Sequence, residues 1–229
     1  MASVLYVGHA TTLIELDGVR LLTDPLLRRH VGHLQRLVPL GEDLPAPDAV
    51  LLSHQHADHL DLPSLRRLGQ SMLLLVPRGA GWTLRRQGFR RVVELSPGDS
   101  TSVGELAIAA VPAVHDGRRY PYGKKVAALG YAVAGSRSVY FAGDTDVFGD
   151  MRLIAEMHRP AIGFLPIGDR FTMGPAGAAK AAELLGVRQV VPMHYGTFPF
   201  LTGTPAQLRD LLVPRGVEML ELRPGETAS

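Results

Sequence analysis

Residues 49–60 read Ala-Val-Leu-Leu-Ser-His-Gln-His-Ala-Asp-His-Leu, an apolar strand followed at once by a dense set of metal-ligand residues. The ligand-type residues are His54, His56, Asp58 and His59. Neutral imidazole and carboxylate groups are both good ligands for Zn²⁺ and similar divalent metals. Packing is a poor explanation for so many of them in one short run. The stretch therefore predicts a metal site in the turn after a buried strand.

Further ligand-type residues follow apolar strands later in the chain. They are His115, Asp144 and His194. Strand ends on one edge of a sheet converge on a cleft, where binding sites are usually built. We therefore expect these three side chains to join the cluster at residues 54–59.

The hydrophobic pattern predicts a chain that mixes strands and helices. Apolar alternation and short apolar runs predict strands at residues 4–7, 12–16, 19–22, 48–53, 72–76, 92–95, 103–111, 126–133, 138–142, 162–167, 187–193 and 217–222. Helical periodicity bounded by Pro and Gly predicts helices at residues 63–68, 80–87, 150–158, 175–185 and 205–212.

Periodicity alone supports an α/β or α+β class. The simplest packing of these elements is two sheets face to face with helices on both outer faces, an αββα sandwich. We expect one domain over residues 1–229. Residues 25–47 show no clear period and predict a long loop of the kind that is usually functional or mobile.

Composition excludes several classes of site. The chain has 229 residues and no cysteine, which excludes disulfides, iron–sulfur clusters, thiolate zinc sites and a Cys nucleophile. The formal net charge of +2 does not favour a general nucleic-acid binder. We see no signal-peptide pattern and no apolar run long enough to span a bilayer. The expectation is a soluble, cytoplasmic protein with neither nucleic acid nor membrane as a partner.

The histidine–aspartate pattern resembles that of the metallo-β-lactamase superfamily. It consists of His-Gln-His-Ala-Asp-His at residues 54–59, followed in order by His115, Asp144 and His194. Shorter runs resemble the bacterial metal-dependent hydrolases similar to ascorbate-6-phosphate lactonase, a group that includes N-acyl phosphatidylethanolamine phospholipase D type enzymes. These runs are Gly8-His9-Ala10, Thr23-Asp24-Pro25, Gly143-Asp144-Thr145, residues 168–175 and Pro192-Met193-His194-Tyr195.

The resemblance implies an αββα fold and two divalent metal ions, with Zn²⁺ favoured and Mn²⁺ as the alternative. By that resemblance the first ion is held by His54, His56 and His115. The second ion is held by Asp58, His59 and His194, and Asp144 bridges the two. The spacing of His54 and His56 agrees with their assignment to one ion, because residues two apart in extended backbone point the same way.

A water between two such ions loses a proton near neutral pH and becomes the nucleophile. We therefore expect a dinuclear hydrolase that cleaves an ester or lactone, in particular of a phosphorylated or carboxylated small molecule. A phosphodiesterase of the same fold and a non-catalytic metal- or ligand-binding protein are the alternatives. Asp144 stands where many true β-lactamases of the superfamily carry Cys, which argues against β-lactam hydrolysis.

Two residues outside the ligand set are catalytic candidates together with Asp58 and His194. Asp24 lies at a strand end, where it can accept a hydrogen bond from a ligand histidine; the other interpretation is a turn residue before Pro25. His9 matches the Gly-His position of the resembling group, with either an active-site or a structural role.

The candidate substrate residues are Arg118, Arg119, Tyr120, Asp169 and Tyr195. Tyr195 follows a ligand and either donates to an oxyanion or packs. Arginines and histidines in the loop at residues 25–47 add to a basic rim that would suit an anionic substrate. The apolar residues 197–201 either close the pocket or pack on a second copy, so a homo-oligomer is one expectation.

Overall fold

Two seven-stranded sheets pack face to face in the computed structural model, which describes residues 2–38, 44–119, 123 and 125–229. The first sheet contains, in spatial order, β16 (Thr227–Ala228), β1 (Ala2–Gly8), β2 (Thr11–Leu16), β3 (Val19–Thr23), β6 (Ala49–Leu51), β7 (Leu73–Pro77) and β8 (Arg91–Leu95). The second contains β15 (Glu218–Met219), β14 (Gln189–Met193), β13 (Ile162–Pro166), β12 (Ser138–Phe141), β11 (Ala127–Ala134), β10 (Leu106–Asp116) and β9 (Ser100–Val103).

Each sheet combines antiparallel strands with parallel ones, and helices connect successive parallel strands from β6 to β8 and from β12 to β15. The helices are α1 (Leu62–Leu68), α2 (Gly81–Arg86), α3 (Met151–His158), α4 (Pro175–Leu185) and α5 (Pro205–Leu212), with a 3₁₀ turn at Val213–Arg215. Strands β3, β6, β7 and β8 run parallel, as do β12 to β15. Parallel neighbours require crossover connections of this kind, whereas hairpins join antiparallel ones. No helix in the described part of the chain is long and apolar enough to cross a bilayer.

Alternation along β6 shows how the layers form. Ala49 and Leu51 belong to the core between the two sheets. Val50 and the following Leu52 belong to a separate cluster with residues of α1 and α2 on the outer face. Successive side chains of a strand point to opposite faces, so this strand is buried on both sides. The αββα sandwich expected from the sequence is confirmed.

Hydrogen bonds cross between the sheets beside the end of β6. The Tyr131 hydroxyl on β11 donates to the Leu52 carbonyl oxygen at 2.8 Å. The Leu129 N–H, also on β11, donates to the Ser53 carbonyl oxygen at 2.9 Å. Buried backbone groups at a strand end need such partners. These bonds fix the irregular segment after β6 against the second sheet.

Two predicted strands were wrong in extent. Residues 103–111 form parts of two strands, because the chain turns at Gly104, which has φ 56°. The strand predicted at residues 217–222 is reduced to β15. The chain then turns through residues 223–226, and the unforeseen β16 pairs with β1.

The long loop predicted at residues 25–47 contains a short hairpin that the sequence pattern did not reveal. It consists of β4 (His30–Val31) and β5 (Leu34–Gln35). Val31 packs with Leu26, Phe198 and Leu201 in a small apolar cluster. The apolar segment at residues 197–201 therefore turns largely inward, with Phe198 and Leu201 buried.

Candidate metal centre

A tight turn after β6 gathers the ligand-type side chains of residues 54–59. The N–H groups of His59 and Leu60 donate to the His56 carbonyl oxygen at 3.2 and 2.8 Å. The ring centroids of His54 and His59 lie 4.1 Å apart, and those of His54 and His56 lie 4.5 Å apart. The run therefore converges on one point.

Asp144, which follows β12, lies at the middle of this cluster. Its side chain is buried, and its Oδ2 lies 3.3 Å from Nε2 of both His59 and His194. The same oxygen lies 3.7 Å from Nε2 of His115 and 3.9 Å from Nε2 of His54. One carboxylate oxygen is thus shared among imidazoles from four separate positions in the chain.

Among the described residues the possible ligand atoms form three groups, and within each group all atoms lie within 4.8 Å of one another. One of them, Asp24 with His54 and His59, shares a histidine with each of the other two. The first group is His54, His56, His115 and Asp144. The second group is His9, Asp58, His59 and His194. The structure thus brings together all seven residues to which the resemblance assigns ligand roles. The six residues other than Asp144 fall into the two sets that the resemblance implies, Asp144 falls with the first set, and His9 joins the second.

Several of these atoms are buried without a hydrogen-bond partner among the described residues. They are Nε2 of His54, His59 and His194, and Oδ1 of Asp144. A buried polar atom without a partner costs free energy, and such atoms are rare in folded proteins. Metal ions would provide partners for all of them at once. The donor set therefore fits divalent metal ions of the kind that His and Asp ligands prefer.

Asp24 and Ser53 fix the ring orientation of one ligand in each group. Asp24 Oδ2 accepts from His59 Nδ1 at 2.7 Å and from the Ser53 hydroxyl at 2.5 Å. Since the Ser53 proton goes to Asp24, Ser53 Oγ accepts from His54 Nδ1 at 2.9 Å. Both Nδ1 atoms carry protons, which makes Nε2 of each ring the atom available as a metal ligand.

Sequence reasoning found Asp24 but missed Ser53. Ser53 could have been found from its position, because it lies between the end of a buried strand and the first ligand histidine.

Strained backbone marks the same edge of the sandwich. His9, Asp24, Asp169 and His194 have φ values of 62°, 31°, 78° and 57°, in the left-handed region that non-glycine residues rarely adopt. The His194 N–H donates to the His9 carbonyl oxygen at 2.8 Å and so joins the two sheets. Surrounding structure must hold such conformations in place, and they cluster at functional sites.

His9, in the turn between β1 and β2, completes the second group. Its Nε2 lies 3.2 Å from Asp58 Oδ2, and its ring centroid lies 4.2 Å from that of His194. The Tyr6 hydroxyl donates to the His9 carbonyl oxygen at 3.1 Å. His9 is fully buried, while the Asp58 side chain is 28% exposed. The centre therefore opens to solvent on the side of Asp58.

Burial keeps most of the imidazoles neutral. Burial, with His115 nearby, lowers the pKa of His56 to about 4. Burial also lowers the pKa of His194 to about 3, against the opposing effect of Asp144. The pKa values of His9 and His54 are lowered for the same first reason. Neutral imidazole is the form that binds metal, so these side chains are ready as ligands at neutral pH.

For His59, Asp58 and Asp144, the charges of neighbouring side chains outweigh the effect of burial on the pKa. Burial lowers the pKa of His59, but Asp144, Asp24 and Asp58 outweigh it and raise the pKa well above the usual value. Burial raises the pKa of Asp144, yet the surrounding histidines, His194 first, hold it well below its usual range. The pKa of Asp58 is likewise lowered, because nearby histidines outweigh the effect of burial. Both carboxylates are therefore ionised and suited to bind cations.

The predicted substrate residues occupy different environments. Arg118 is exposed, whereas Arg119 Nη1 donates to the carbonyl oxygens of Leu60 at 2.7 Å and Gln55 at 3.2 Å. Tyr120 lies outside the described residues. Arg119 is thus bonded to both ends of the metal-ligand turn.

Two other candidates lie near the centre but contact other groups. The Tyr195 hydroxyl donates to the Leu222 carbonyl oxygen at 3.4 Å, and its ring stacks on Tyr6. The exposed Asp169 carboxylate accepts from Thr202 Oγ1 at 3.4 Å.

Arginines of the long loop are partly engaged within the protein. Arg28 pairs with Asp61 at 2.6 Å, and Asp61 in turn caps α1. Arg36 is buried and donates to the carbonyl oxygens of Leu26 at 2.8 Å and Val7 at 3.2 Å. These two side chains anchor the loop to the sandwich.

Comparison with known proteins agrees with the fold. The family described as "Beta-lactamase superfamily domain" matches residues 19–195. The chain belongs to this superfamily. This metallo-β-lactamase superfamily member is 36% identical over 235 residues to a UPF0173 metal-dependent hydrolase of Koribacter versatilis, covering 99% of this chain and 97% of the relative. It is 38% identical to one of Methanopyrus kandleri, covering 98% of each. The protein is a metal-dependent hydrolase of the superfamily.

Solved structures show the same superfamily fold. A metallo hydrolase from Ignicoccus hospitalis has a TM-score of 0.81 at 28% identity, covering 99% of this chain and 97% of that one. An isothiocyanate hydrolase from Delia radicum gut bacteria has a TM-score of 0.80 at 23% identity, covering 99% and 98%. CmlA, a diiron β-hydroxylase from Streptomyces venezuelae, has a TM-score of 0.77 at 22% identity, covering 99% and 54%. The last two show the fold alone, and their reactions differ, so the fold does not define the substrate.

Proposed function

We propose that this hydrolase holds two divalent metal ions, Zn²⁺ or Mn²⁺, and cleaves an ester or lactone bond of a small molecule. One observation carries the proposal: Asp144 Oδ2 lies 3.3–3.9 Å from imidazole nitrogens of both ligand groups. A buried carboxylate shared in this way suits two cations better than one. His54, His56 and His115 would hold one ion, Asp58, His59 and His194 would hold the other, and Asp144 would bridge them, with His9 outside the ligand set.

Two bound divalent ions lower the pKa of water toward neutrality and polarise the oxygen of the bond under attack. The protein's own residues then need only to position the ligand side chains and to move protons. Asp24 and Ser53 hold the His59 and His54 rings with Nε2 directed at the centre. This preorganisation keeps the ligands from rotating during the reaction.

The Asp58–His9 pair is placed to carry the proton. Asp58 is the ionised side chain at the opening, and neutral His9 donates Nε2–H to its Oδ2 at 3.2 Å. When water adds to the carbonyl carbon, its proton passes to the Asp58 carboxylate. The proton then moves to the alkoxide that leaves as the carbon–oxygen bond breaks. His9 keeps the carboxylate in position throughout.

The same ligand set supports attack on phosphorus, so a phosphodiesterase is the second candidate, and metal binding without turnover is the third. A substrate panel separates them: 4-nitrophenyl acetate, γ-butyrolactone and bis(4-nitrophenyl) phosphate. We expect turnover of the ester and the lactone by protein loaded with Zn²⁺ or Mn²⁺. Turnover of the phosphate alone would establish the second candidate. Inactivity on all three would favour the third.

Metal content and an Asp144 variant test the dinuclear centre directly. Inductively coupled plasma mass spectrometry should find about two equivalents of metal per chain after reconstitution. Loss of a hydrogen-bond partner of a metal ligand typically lowers activity about 10–100-fold. Asp144→Asn should lower turnover by more than this, because Asp144 is itself a proposed ligand. Ser102→Ala, on the exposed face of β9, is the matched control and should match the wild type. One equivalent of metal with full activity would refute the dinuclear proposal.

A further inference from the structure

The loop after β13 emerges between two loops that carry metal-ligand residues. β13 pairs in parallel with β12 on one side and β14 on the other, and Asp144 and His194 follow those two strands. Residues 167–174, called the β13 loop below, are tied to the first of these neighbours, since the Met173 N–H donates to the Thr145 carbonyl oxygen at 3.0 Å. Side chains that this loop exposes therefore border the metal centre.

Phenylalanine rings form a continuous series of contacts from the second ligand group to the surface. The buried Phe198 lies edge-on to His9, with ring centroids 5.3 Å apart. Phe200 stacks on Phe198 at 5.6 Å, and Phe171 of the β13 loop meets Phe200 edge to face at 5.7 Å. Phe171 remains 56% exposed. An exposed aromatic ring held in this way beside a binding site offers apolar contact area to a ligand.

Arg170 places a cation against the same rings. Its guanidinium carbon lies 5.3 Å from the Phe171 centroid and 5.8 Å from the Phe200 centroid. The neighbouring Asp169 carboxylate accepts instead from Thr202. Arg28, Arg78, Arg85, Arg209 and Arg215 each pair with a carboxylate, but Arg170 has no such pair within the described ranges. A guanidinium fixed over rings retains its planar fork for an anionic oxygen group.

We propose that Arg170, Phe171 and Phe200 form the substrate-binding wall of the hydrolase and recognise an apolar acyl chain that ends in a carboxylate. The proposal rests on the proposed ester or lactone hydrolysis and names the substrate class for that site. The rings contact the methylene chain, the guanidinium binds the terminal carboxylate, and the reacting carbonyl group lies at the metal centre.

Three 4-nitrophenyl esters separate the parts of this wall: the acetate, the hexanoate and the monoester of adipic acid. The acetate lacks a chain, the hexanoate adds the apolar chain, and the adipate ester adds the terminal carboxylate. Phe171→Ala should lower kcat/KM about tenfold for the hexanoate and adipate esters and leave the acetate unchanged. Arg170→Ala should lower kcat/KM about tenfold for the adipate ester alone.

A second exposed aromatic–arginine pair provides the matched control. The Arg86 guanidinium carbon lies 4.8 Å from the Trp82 ring on α2, which packs on the other sheet. Trp82→Ala and Arg86→Ala should leave kcat/KM unchanged for all three esters. Equal losses for all esters in the Arg170 and Phe171 variants, or no loss for any, would overturn the proposed wall.

Binding measured without turnover distinguishes failure of the wall from failure of the hydrolase function. Isothermal titration calorimetry of the metal-loaded protein with acetate, hexanoate and adipate should show adipate binding most tightly, by a margin that Arg170→Ala removes. If adipate binds most tightly through Arg170 but no ester is hydrolysed, the proposed wall stands and ester hydrolysis is refuted. Hydrolysis with adipate bound no more tightly than acetate would retain the function and refute the wall.

Discussion

Asp24 Oδ2 lies 2.5 Å from Ser53 Oγ, and through this contact one buried carboxylate acts on both ligand groups. The same oxygen accepts directly from His59 in the second group, at 2.7 Å. Ser53 extends the interaction to His54 in the first group, at 2.9 Å. The orientation of one imidazole in each group therefore depends on a single side chain, so we predict that metal binding to the two groups is linked through Asp24.

Ser53→Ala should weaken metal binding in the first group while leaving the fold intact. The substitution removes only the hydroxyl that accepts from His54 Nδ1, so the ring loses its fixed orientation. We expect one of two dissociation constants, measured by competition with a chromogenic chelator, to rise about 10–100-fold. Asp24→Asn should weaken both. Unchanged constants in Ser53→Ala would show that the hydroxyl does not position the ligand.

Arg118 and Arg119 are adjacent but should respond differently to substitution. Arg119 Nη1 bonds carbonyl oxygens at both ends of the metal-ligand turn, whereas Arg118 is exposed. Arg119→Ala should lower the free energy of unfolding by about 1.5–3 kcal/mol, as expected for loss of charged hydrogen bonds, and should weaken metal retention. Arg118→Ala is the control, with a change within about 0.5 kcal/mol. Urea denaturation measures both, and equal effects would contradict a bracing role for Arg119.

Tyr195→Phe tests whether this hydroxyl stabilises an oxyanion. In the structure the hydroxyl donates to the Leu222 carbonyl oxygen, and the ring stacks on Tyr6 at 6.2 Å between centroids. We therefore expect kcat to stay within about twofold and stability to fall by about 0.5–1.5 kcal/mol, the net contribution of one hydrogen bond. A fall in kcat of about a hundredfold or more would instead support the oxyanion role.

The ligand cluster was predictable because its information is local. Four of its residues lie within residues 54–59, and the others each end an apolar strand, so strand order alone brings them together. Asp24 was found for the same reason. Ser53 was not, because a serine after a strand has many uses and its partner is 29 residues away.

The surroundings of the centre were less predictable because they depend on long-range contacts. The basic residues Arg28, Arg36 and Arg119 all fitted a substrate rim by composition. Their guanidinium groups instead bond Asp61 and backbone carbonyl oxygens elsewhere in the fold. The C-terminal strand β16 was missed because its residues lack an apolar run and are ordered only by pairing with β1.

Glu94 should make stability depend on pH at a position away from the ligand groups. Partial burial raises its pKa, but the Arg85 guanidinium and the N–H groups of Gly79 and Gly81 outweigh this and hold it below the usual 4.5. A carboxyl group whose pKa is depressed in the folded state stabilises the fold above its unfolded pKa, and that contribution is lost as pH falls through the folded value.

Glu94→Gln should therefore lower the free energy of unfolding by about 1 kcal/mol at pH 7, where the charged hydrogen bonds are present. The difference from the wild type should shrink steadily as pH falls below about 4.5 and vanish once pH has passed the depressed folded-state pKa, where the Glu94 carboxyl group is neutral. Urea denaturation of metal-free protein at a series of pH values measures the difference. Asp48→Asn, whose carboxylate accepts from the Arg20 N–H at 2.8 Å, controls for general charge effects. A difference that grows on acidification would contradict the assigned direction of the pKa shift.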